Sequence, residues 1–498
     1  MVMIPAILAI DQGTTRTKAL IFDATAHPLA ESSSEIPLTY PHPGWVEQDP
    51  RDLLQSVVQN ARAVLAATDA QIIAFGLSNQ GETVVMWNAR TGQPLYNAIS
   101  WQDRRTDEFC DQLIHSDAGQ LISERTGLPI DPYFSATKLR WLLDNVPDAR
   151  DLAREGELLA GTTDSWLLWN LTGEHLTDDA TASRTMLYNP RIRDWDQDVL
   201  DLLEIPRSIL PVIQPACSLF GTIRADILGR PIPVSASLVD QQAALFGQAC
   251  YAPNDVKVTY GTGAFILLNT GHEIPTSHYG LVPTVAWSFQ DSVTYALDGG
   301  IYVAGAAVQW LRDGLRIIHS AEETLELAKS VPDSGGIFFV PALAGLAAPY
   351  WDSYARGTIV GLTRGTTRAH LVRATLEGIA FRTRDVLEAM ARDTGNSIRS
   401  IKVDGGASAN DFLMQSLADI SGVEVRVAAI RETTSLGAAF LAGLGIGLWK
   451  DQAEIAALWR EAASYSPHRN ANVEIQYQQW LRAVERARGW ATPVSANG

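Results

Sequence analysis

Cysteine is scarce in this sequence: three among 498 residues, Cys110, Cys217 and Cys250. An odd, widely spaced set without C-x-x-C spacing offers neither a disulfide framework nor a zinc site, so a reducing cytoplasm is the expected compartment. Positive charge is also short. Lys and Arg number 39 against 56 Asp and Glu, a formal net charge of −17, which argues against nucleic acid as a partner, because a phosphate backbone needs a basic surface. No apolar run approaches the about 20 residues that cross a bilayer. The opening MVMIPAILAIDQGTT has no basic segment ahead of its short apolar stretch, so no secretory leader and no membrane insertion are expected.

What is present suits a compact folded protein, with 46% hydrophobic and 19% charged residues. The length exceeds one ordinary core, so at least two domains are expected. Residues 7–10 and 18–23 read as a hairpin around Asp11-Gln12-Gly13-Thr14-Thr15, and residues 49–67 as a helix with Asp49 as cap and Pro50 behind it. Near the midpoint the outline recurs: VTYGTGAFILLNT repeats AIDQGTTRTKALIFD as strand, Gly/Thr turn, strand. Later, residues 401–403 run into Asp404-Gly405-Gly406 before a helical FLMQSLADI. Two halves, each beginning with a phosphate-sized turn, predict a duplicated α/β domain with a cleft between, divided near residue 250. The tail after Lys450 carries no interpretable motif.

The chemistry concentrates at the turns. Asp11-Gln12-Gly13-Thr14-Thr15 supplies amides, two hydroxyls and a carboxylate at a strand end, a set suited to phosphate and, through Asp11, to Mg²⁺; it also describes a plain hairpin turn. Gly261-Thr262-Gly263 and Gly405-Gly406 bring backbone close to a flat or anionic group, and ligands of α/β proteins collect at strand carboxyl ends. Asp240 stands directly before a helix; capping and a cleft-facing role are both open to it. Glu82 comes after a strand, beside Gly81, and can be a simple turn residue. Trp101, Tyr133 and Phe265 have the core as their ordinary fate. Arg16, Lys18, Arg104 and Arg105 are surface charges unless the fold brings them to phosphate.

Together these residues resemble the FGGY carbohydrate kinases, and within them the glycerol kinases. The likeness runs from Ile7 to about Trp449. It includes PGWVEQDP (residues 43–50), YNAISWQDRR (96–105), GLPIDPYFSATK (127–138), DQQAALFGQ (240–248) and YGTGAF (260–265). It continues through VAGAAVQWLRD (303–313), AAPYWDSYARGTIVGLTRG (347–365), RATLEGIAFRTRDVLEAM (373–390) and VDGGASANDFLMQ (403–415). The resemblance implies two actin-like (ribonuclease H-like) domains, residues 1–250 with the polyol pocket and base and residues 251–498 with the nucleotide. It implies ATP-dependent phosphorylation of glycerol, with Asp240 taking the proton of the attacking hydroxyl and Asp11 helping to hold Mg²⁺. Thr14, Thr15 and Thr262, with Arg16 and Lys18 nearby, would meet the nucleotide phosphates, and Gly305, Gln309, Gly406 and Asn410 would line the nucleotide site. Gly81, Glu82, Trp101, Tyr133, Asp240, Gln241 and Phe265 would form the polyol pocket. Homodimers or homotetramers are the implied assemblies.

Three positions depart from the pattern. Gly81 stands where glycerol kinases have an arginine that binds glycerol, which leaves room and an unmet acceptor. That opens a second reading, another small polyol or sugar such as erythritol, threitol, a pentitol or a ketopentose. Lys18 replaces an arginine. Residues 225–231, ADILGRP, lack the Gly-Gly-Thr-Arg loop of members inhibited by fructose 1,6-bisphosphate, so that regulation is not expected. Outside the class, a non-catalytic sugar sensor and an actin-like ATPase remain; intact Asp11, Asp240 and Gly/Thr turns argue against a dead enzyme.

Overall fold

A computed structural model of the chain describes residues 4–468 and 472–492. Two sheets organise it. The first runs Thr222–Ile223, Ile232–Val239, Gln71–Asn79, Pro5–Gln12, Arg16–Asp23, Pro28–Glu35. The second runs Val282–Phe289, Ser292–Ile301, Ala264–Gly271, Val256–Tyr260, Ser400–Gly405, Glu424–Ala428, Glu461–Tyr465. Each is centred on a hairpin whose first strand is flanked on its other side by a parallel strand. The two similar turns in the sequence are therefore the same structural device used twice, and the duplicated α/β architecture expected from the sequence is the one the chain forms.

The central strands are apolar on both faces, as parallel strands covered on both sides must be: Ile7, Leu8, Ala9 and Ile10 are all fully buried. The helix Pro50–Ala66 covers one face. Asp49 accepts from the Arg51 amide with Pro50 next in line, and Leu53, Val57, Ala61 and Val64 form its buried stripe. Burying each of the larger side chains contributes about 2 kcal/mol.

The other face of the first sheet is covered from far along the chain. The helix Thr433–Gly445 lies against Pro5–Gln12, Gln71–Asn79 and Ile232–Val239, and its Leu436 and Ala438 to Ala442 belong to the same core. Ser235 Oγ donates to the Ala442 carbonyl at 3.0 Å, and Trp449 Nε1 to the Ala24 carbonyl at 3.0 Å. This helix also crosses Asp240–Gly247 backbone to backbone: a Cβ on Gly437 would stand 1.8 Å from the Ala243 carbonyl oxygen, and one on Gly247 2.0 Å from that of Thr433. Only glycine permits that approach.

Two sequence expectations change here. Arg105, read as a surface charge, has its side chain wholly buried, paired with Glu47 at 2.7 Å and Asp103 at 2.8 Å and stacked on Trp45. The tail does structural work: Val473–Ala487 is a helix whose Tyr477, Trp480 and Val484 are buried, with Tyr477 and Trp480 both donating to Asp385. Among the described residues no helix is long and apolar enough to cross a membrane.

Candidate active site

Three parallel strands end level with one another: Gln12 pairs with Asn79, and Asn79 with Val239. The residues next in the chain are therefore brought to one sheet end: the 13–15 turn, Gly81 with Glu82, and Asp240. The turn is tied down by its neighbours. Gln48 Nε2 donates to the Thr14 carbonyl at 2.7 Å, Gln80 Nε2 to Gln48 Oε1 at 3.0 Å, and Trp101 Nε1 to Thr14 Oγ1 at 2.8 Å.

Asp240 is not the cap of its helix. Val239 occupies that position, because the strand runs on to it, and Asp240 is the first helical residue. Its carboxylate accepts from the Gln241 amide at 2.7 Å and from Gln241 Nε2 at 3.1 Å, while Lys257 Nζ holds Gln241 Oε1 at 2.6 Å. Glu82 is buried, with φ +58, a left-handed conformation that costs a non-glycine residue about 1 kcal/mol. Arg184 Nε donates to Glu82 Oε1 at 2.7 Å, and Arg184 Nη2 contacts Asp298 Oδ2 at 3.0 Å and the Tyr133 hydroxyl at 3.4 Å. Trp101 meets Tyr133 and Phe265 edge to face, with ring centres 5.7 and 6.2 Å away. A cavity of about 1000 Å³ opens beside Trp101 and Tyr133 and is bounded opposite by Tyr302, Leu346 and Trp351.

The Gly81 expectation needs correcting. One atom borders the room at this glycine, Val239 Cγ2, 2.9 Å from where a Cβ would stand; it is the unmet acceptor that the structure removes. A guanidinium does reach Glu82, but it comes from Arg184.

Burial pushes the Asp240 carboxyl above its ordinary range, with Gln241 and Lys257 pulling it back. Asp11 rises to about 7, through burial first and then repulsion from Asp240, with Lys18 opposing and Glu432 adding to the rise. Burial raises Glu82 too, against the pull of Arg184, and lowers Lys138 to about 8. Asp11 and Asp240 thus repel each other inside a poorly hydrated cleft, a charge pattern that a cation relieves. No cluster of three or more metal-ligating side chains occurs among the described residues. Mg²⁺ takes one or two carboxylates and completes its shell with water and phosphate oxygens, a demand that the Asp11 carboxylate beside Asp240 fits.

The opposite wall is backbone. Tyr260 and Gly405 are parallel partners, which sets the 261–263 turn beside Gly405-Gly406. Gly405 has φ +86, and a Cβ there would lie 2.2 Å from the Tyr260 carbonyl oxygen. The amides of Ala304 and Ala306 each bond the Thr262 carbonyl at 2.9 Å, and that of Gly305 the Gly261 carbonyl at 3.1 Å. Thr262, Gln309 and Gly406 are exposed. Asn410 caps Asp411–Ser421 by accepting from the Leu413 amide and donates to Thr324 Oγ1 at 2.9 Å.

The structure thus gathers Asp11, Thr14, Gly81, Glu82, Trp101, Tyr133, Asp240, Gln241 and Phe265, and separately Thr262, Gly305, Gln309 and Gly406, with Asn410 opening the next helix. Thr15 is exposed in its turn. Lys18 is engaged by Glu432 beside Asp11. Arg16 instead pairs with exposed Glu35 at 3.1 Å on the neighbouring strand. Sequence reasoning missed Arg184, Asp298 and Lys257. In V-K-V-T-Y the alternation reads Lys257 as outward, but that face meets the first half of the molecule and buries it completely.

Family comparison decides what kind of cleft this is. The model of the FGGY family of carbohydrate kinases, N-terminal domain, matches residues 6–247, and that of the C-terminal domain matches residues 256–446. The chain belongs to the FGGY family of carbohydrate kinases. This FGGY kinase is 51% identical to glycerol kinase 2 of Thermotoga maritima over 490 residues, 97% of the chain and 99% of the relative. It is 52% identical to the glycerol kinase of Symbiobacterium thermophilum over 491 residues, 97% of the chain and 99% of the relative. Among solved structures it superposes on Plasmodium falciparum glycerol kinase with ADP with a TM-score of 0.91 at 34% identity, covering 97% and 98% of the two chains. For gluconate kinase from Lactobacillus acidophilus the TM-score is 0.87 at 25% identity, covering 97% of each chain.

Proposed function

We propose that this kinase transfers the γ-phosphoryl group of ATP to a terminal hydroxyl of glycerol, giving sn-glycerol 3-phosphate and ADP. Residues 1–250 carry the polyol pocket and the base, and residues 251–498 the nucleotide. The observation that carries the reading is Asp240 at the end of its strand, brought to the same sheet end as Glu82 by the register of the parallel strands. Asp240 takes the proton of the attacking hydroxyl; its raised proton affinity makes it a stronger base than a solvated carboxylate. Gln241, held by Lys257, fixes the carboxylate's orientation. Glu82 accepts from a second hydroxyl, while Trp101 and Phe265 pack on the C–H faces and keep water from competing for the phosphoryl group. The turn amides and hydroxyls of Thr14, Thr15 and Thr262 receive the phosphates, with Lys18 adding charge, and Gly305, Gln309, Gly406 and Asn410 border the nucleotide. When bound, Mg²⁺, held by Asp11, neutralises phosphate charge. Three free cysteines suit a cytoplasmic setting.

An ADP-release assay across glycerol, erythritol, threitol, pentitols and ketopentoses tests the substrate. Turnover of glycerol above the others is expected; turnover of a longer polyol with none of glycerol would instead favour the second reading that Gly81 raises. Equal ATP hydrolysis with and without polyol would point to an actin-like ATPase.

A further inference from the structure

Arg184 lies just beyond the short helix Asp179–Ala182, and its guanidinium is shared among Glu82, Asp298 and Tyr133. The array is nonetheless incomplete. Arg184 Nη1 and Asp298 Oδ1 are both buried without a hydrogen-bond partner. Among the described residues this is the one ion pair with an unpartnered atom on each member. Guanidinium and carboxylate ordinarily close such a gap with a second parallel bond; here the contact runs through Nη2 and Oδ2 alone. One open donor and one open acceptor on adjacent groups match one alcohol, whose oxygen accepts from Nη1 and whose hydrogen goes to Oδ1.

We propose that Arg184 and Asp298 together recognise a hydroxyl of the acceptor other than the one that Asp240 deprotonates, and so set the specificity of the pocket. The pair spans the molecule, Arg184 from the first half and Asp298 from the strand Ser292–Ile301 of the second sheet. The acceptor class this implies is a vicinal polyol carrying a hydroxyl beyond the reacting carbon and its neighbour; a diol without it leaves both atoms unpaired. The proposal rests on the polyol-kinase reading and names a contact within it.

The test pairs removal of the ligand group with removal of the protein group. Calorimetric titration of the wild-type protein with glycerol and with 1,2-propanediol, which lacks one terminal hydroxyl, should show glycerol bound about 10–100-fold more tightly, the worth of a hydrogen bond to charged partners. In Asp298→Asn, and in Arg184→Lys, which keeps the charge but loses Nη1, that ratio should collapse towards one, with kcat/KM for glycerol falling mainly through KM. Melting curves identify a variant that has not folded, and the wild-type titration decides without it. Equal binding of the two alcohols by the wild type, or equal losses on both in a folded variant, overturns the proposal and assigns the open atoms to trapped water. Because titration needs no turnover, discrimination in binding without phosphorylation of glycerol would count against the proposed reaction and leave the recognition pair standing.

Discussion

Around Glu82 the cleft is walled by charged side chains that hold one another and leave two atoms open, whereas around Thr262 it is walled by exposed backbone with almost no charged side chain. On the first side Glu82, Arg184, Asp298, Asp240 and Lys257 lie within one desolvated array. On the second, the exposed Thr262 and Gly406 present backbone and a hydroxyl to solvent. A small neutral polyol carries few handles, so its site must hold partners in place before it arrives. A nucleotide triphosphate carries so much charge that a turn of amides and a bound cation suffice. The asymmetry therefore matches the two partners that a carbohydrate kinase has to bring together.

The largest break in that comparison should come from Asp240→Asn, which removes the proposed base and little else. We expect kcat to fall by about 10²–10⁴-fold, with ADP affinity by calorimetry unchanged; turnover near the wild-type rate would take Asp240 out of the reaction. Next is Gly405→Ala on the backbone side. Left-handed φ and collision with the Tyr260 carbonyl should lower stability by about 3 kcal/mol in a denaturant titration, and full tolerance would mean that this wall does not depend on its backbone path. A similar effect, away from both walls, is expected at His175. Burial holds its imidazole at about 4, below the ordinary 6.5, while Nε2 contacts the Ala160 carbonyl at 3.1 Å. Below pH 6.5 the unfolded chain takes up a proton that the folded one refuses until about pH 4, so stability is complete above that window and is lost as pH falls through it. The loss should approach about 3 kcal/mol, and His175→Gln should flatten that part of the stability–pH curve without altering either KM. The smallest effect should be that of Thr262→Val: about a fivefold rise in the KM for ATP, the worth of one hydrogen bond, with the KM for glycerol unmoved. A change in the glycerol value would show that the two walls are not separable.

Much of the fold could be read because strand, glycine turn and strand are local patterns, and the two hairpins are each built from a single short stretch. The site residues that could be read sit at the ends of those strands. Arg184 and Asp298 could not be read, because their meeting depends on two segments over a hundred residues apart approaching across the cleft. Gly81 was legible as a loss of side chain, but not that Arg184 from another segment would reach Glu82 in its place. Arg105 gives no local sign that Glu47, Asp103 and Trp45 will enclose it. The tail helix does carry a signal, apolar residues at 477, 480 and 484, which has helical spacing but no chemistry.

The helix Thr433–Gly445, packed on the sheet that the first residues build, has a consequence for how the protein is made. A ribosome that has released the whole first half has not yet released the segment that seals it. Until residues 433–445 have emerged, the apolar face of Pro5–Gln12 and Ile232–Val239 has no permanent cover, and a nascent chain stalled before residue 433 presents it to chaperones and to other chains. A segment made long after the sheet thus decides whether the first half is secure. The same stitch makes late truncation costly out of proportion to its length: cutting the chain just ahead of Thr433 removes the covering helix, opens the Gly247 crossing, and bares the sheet that carries Asp11 and leads into Asp240.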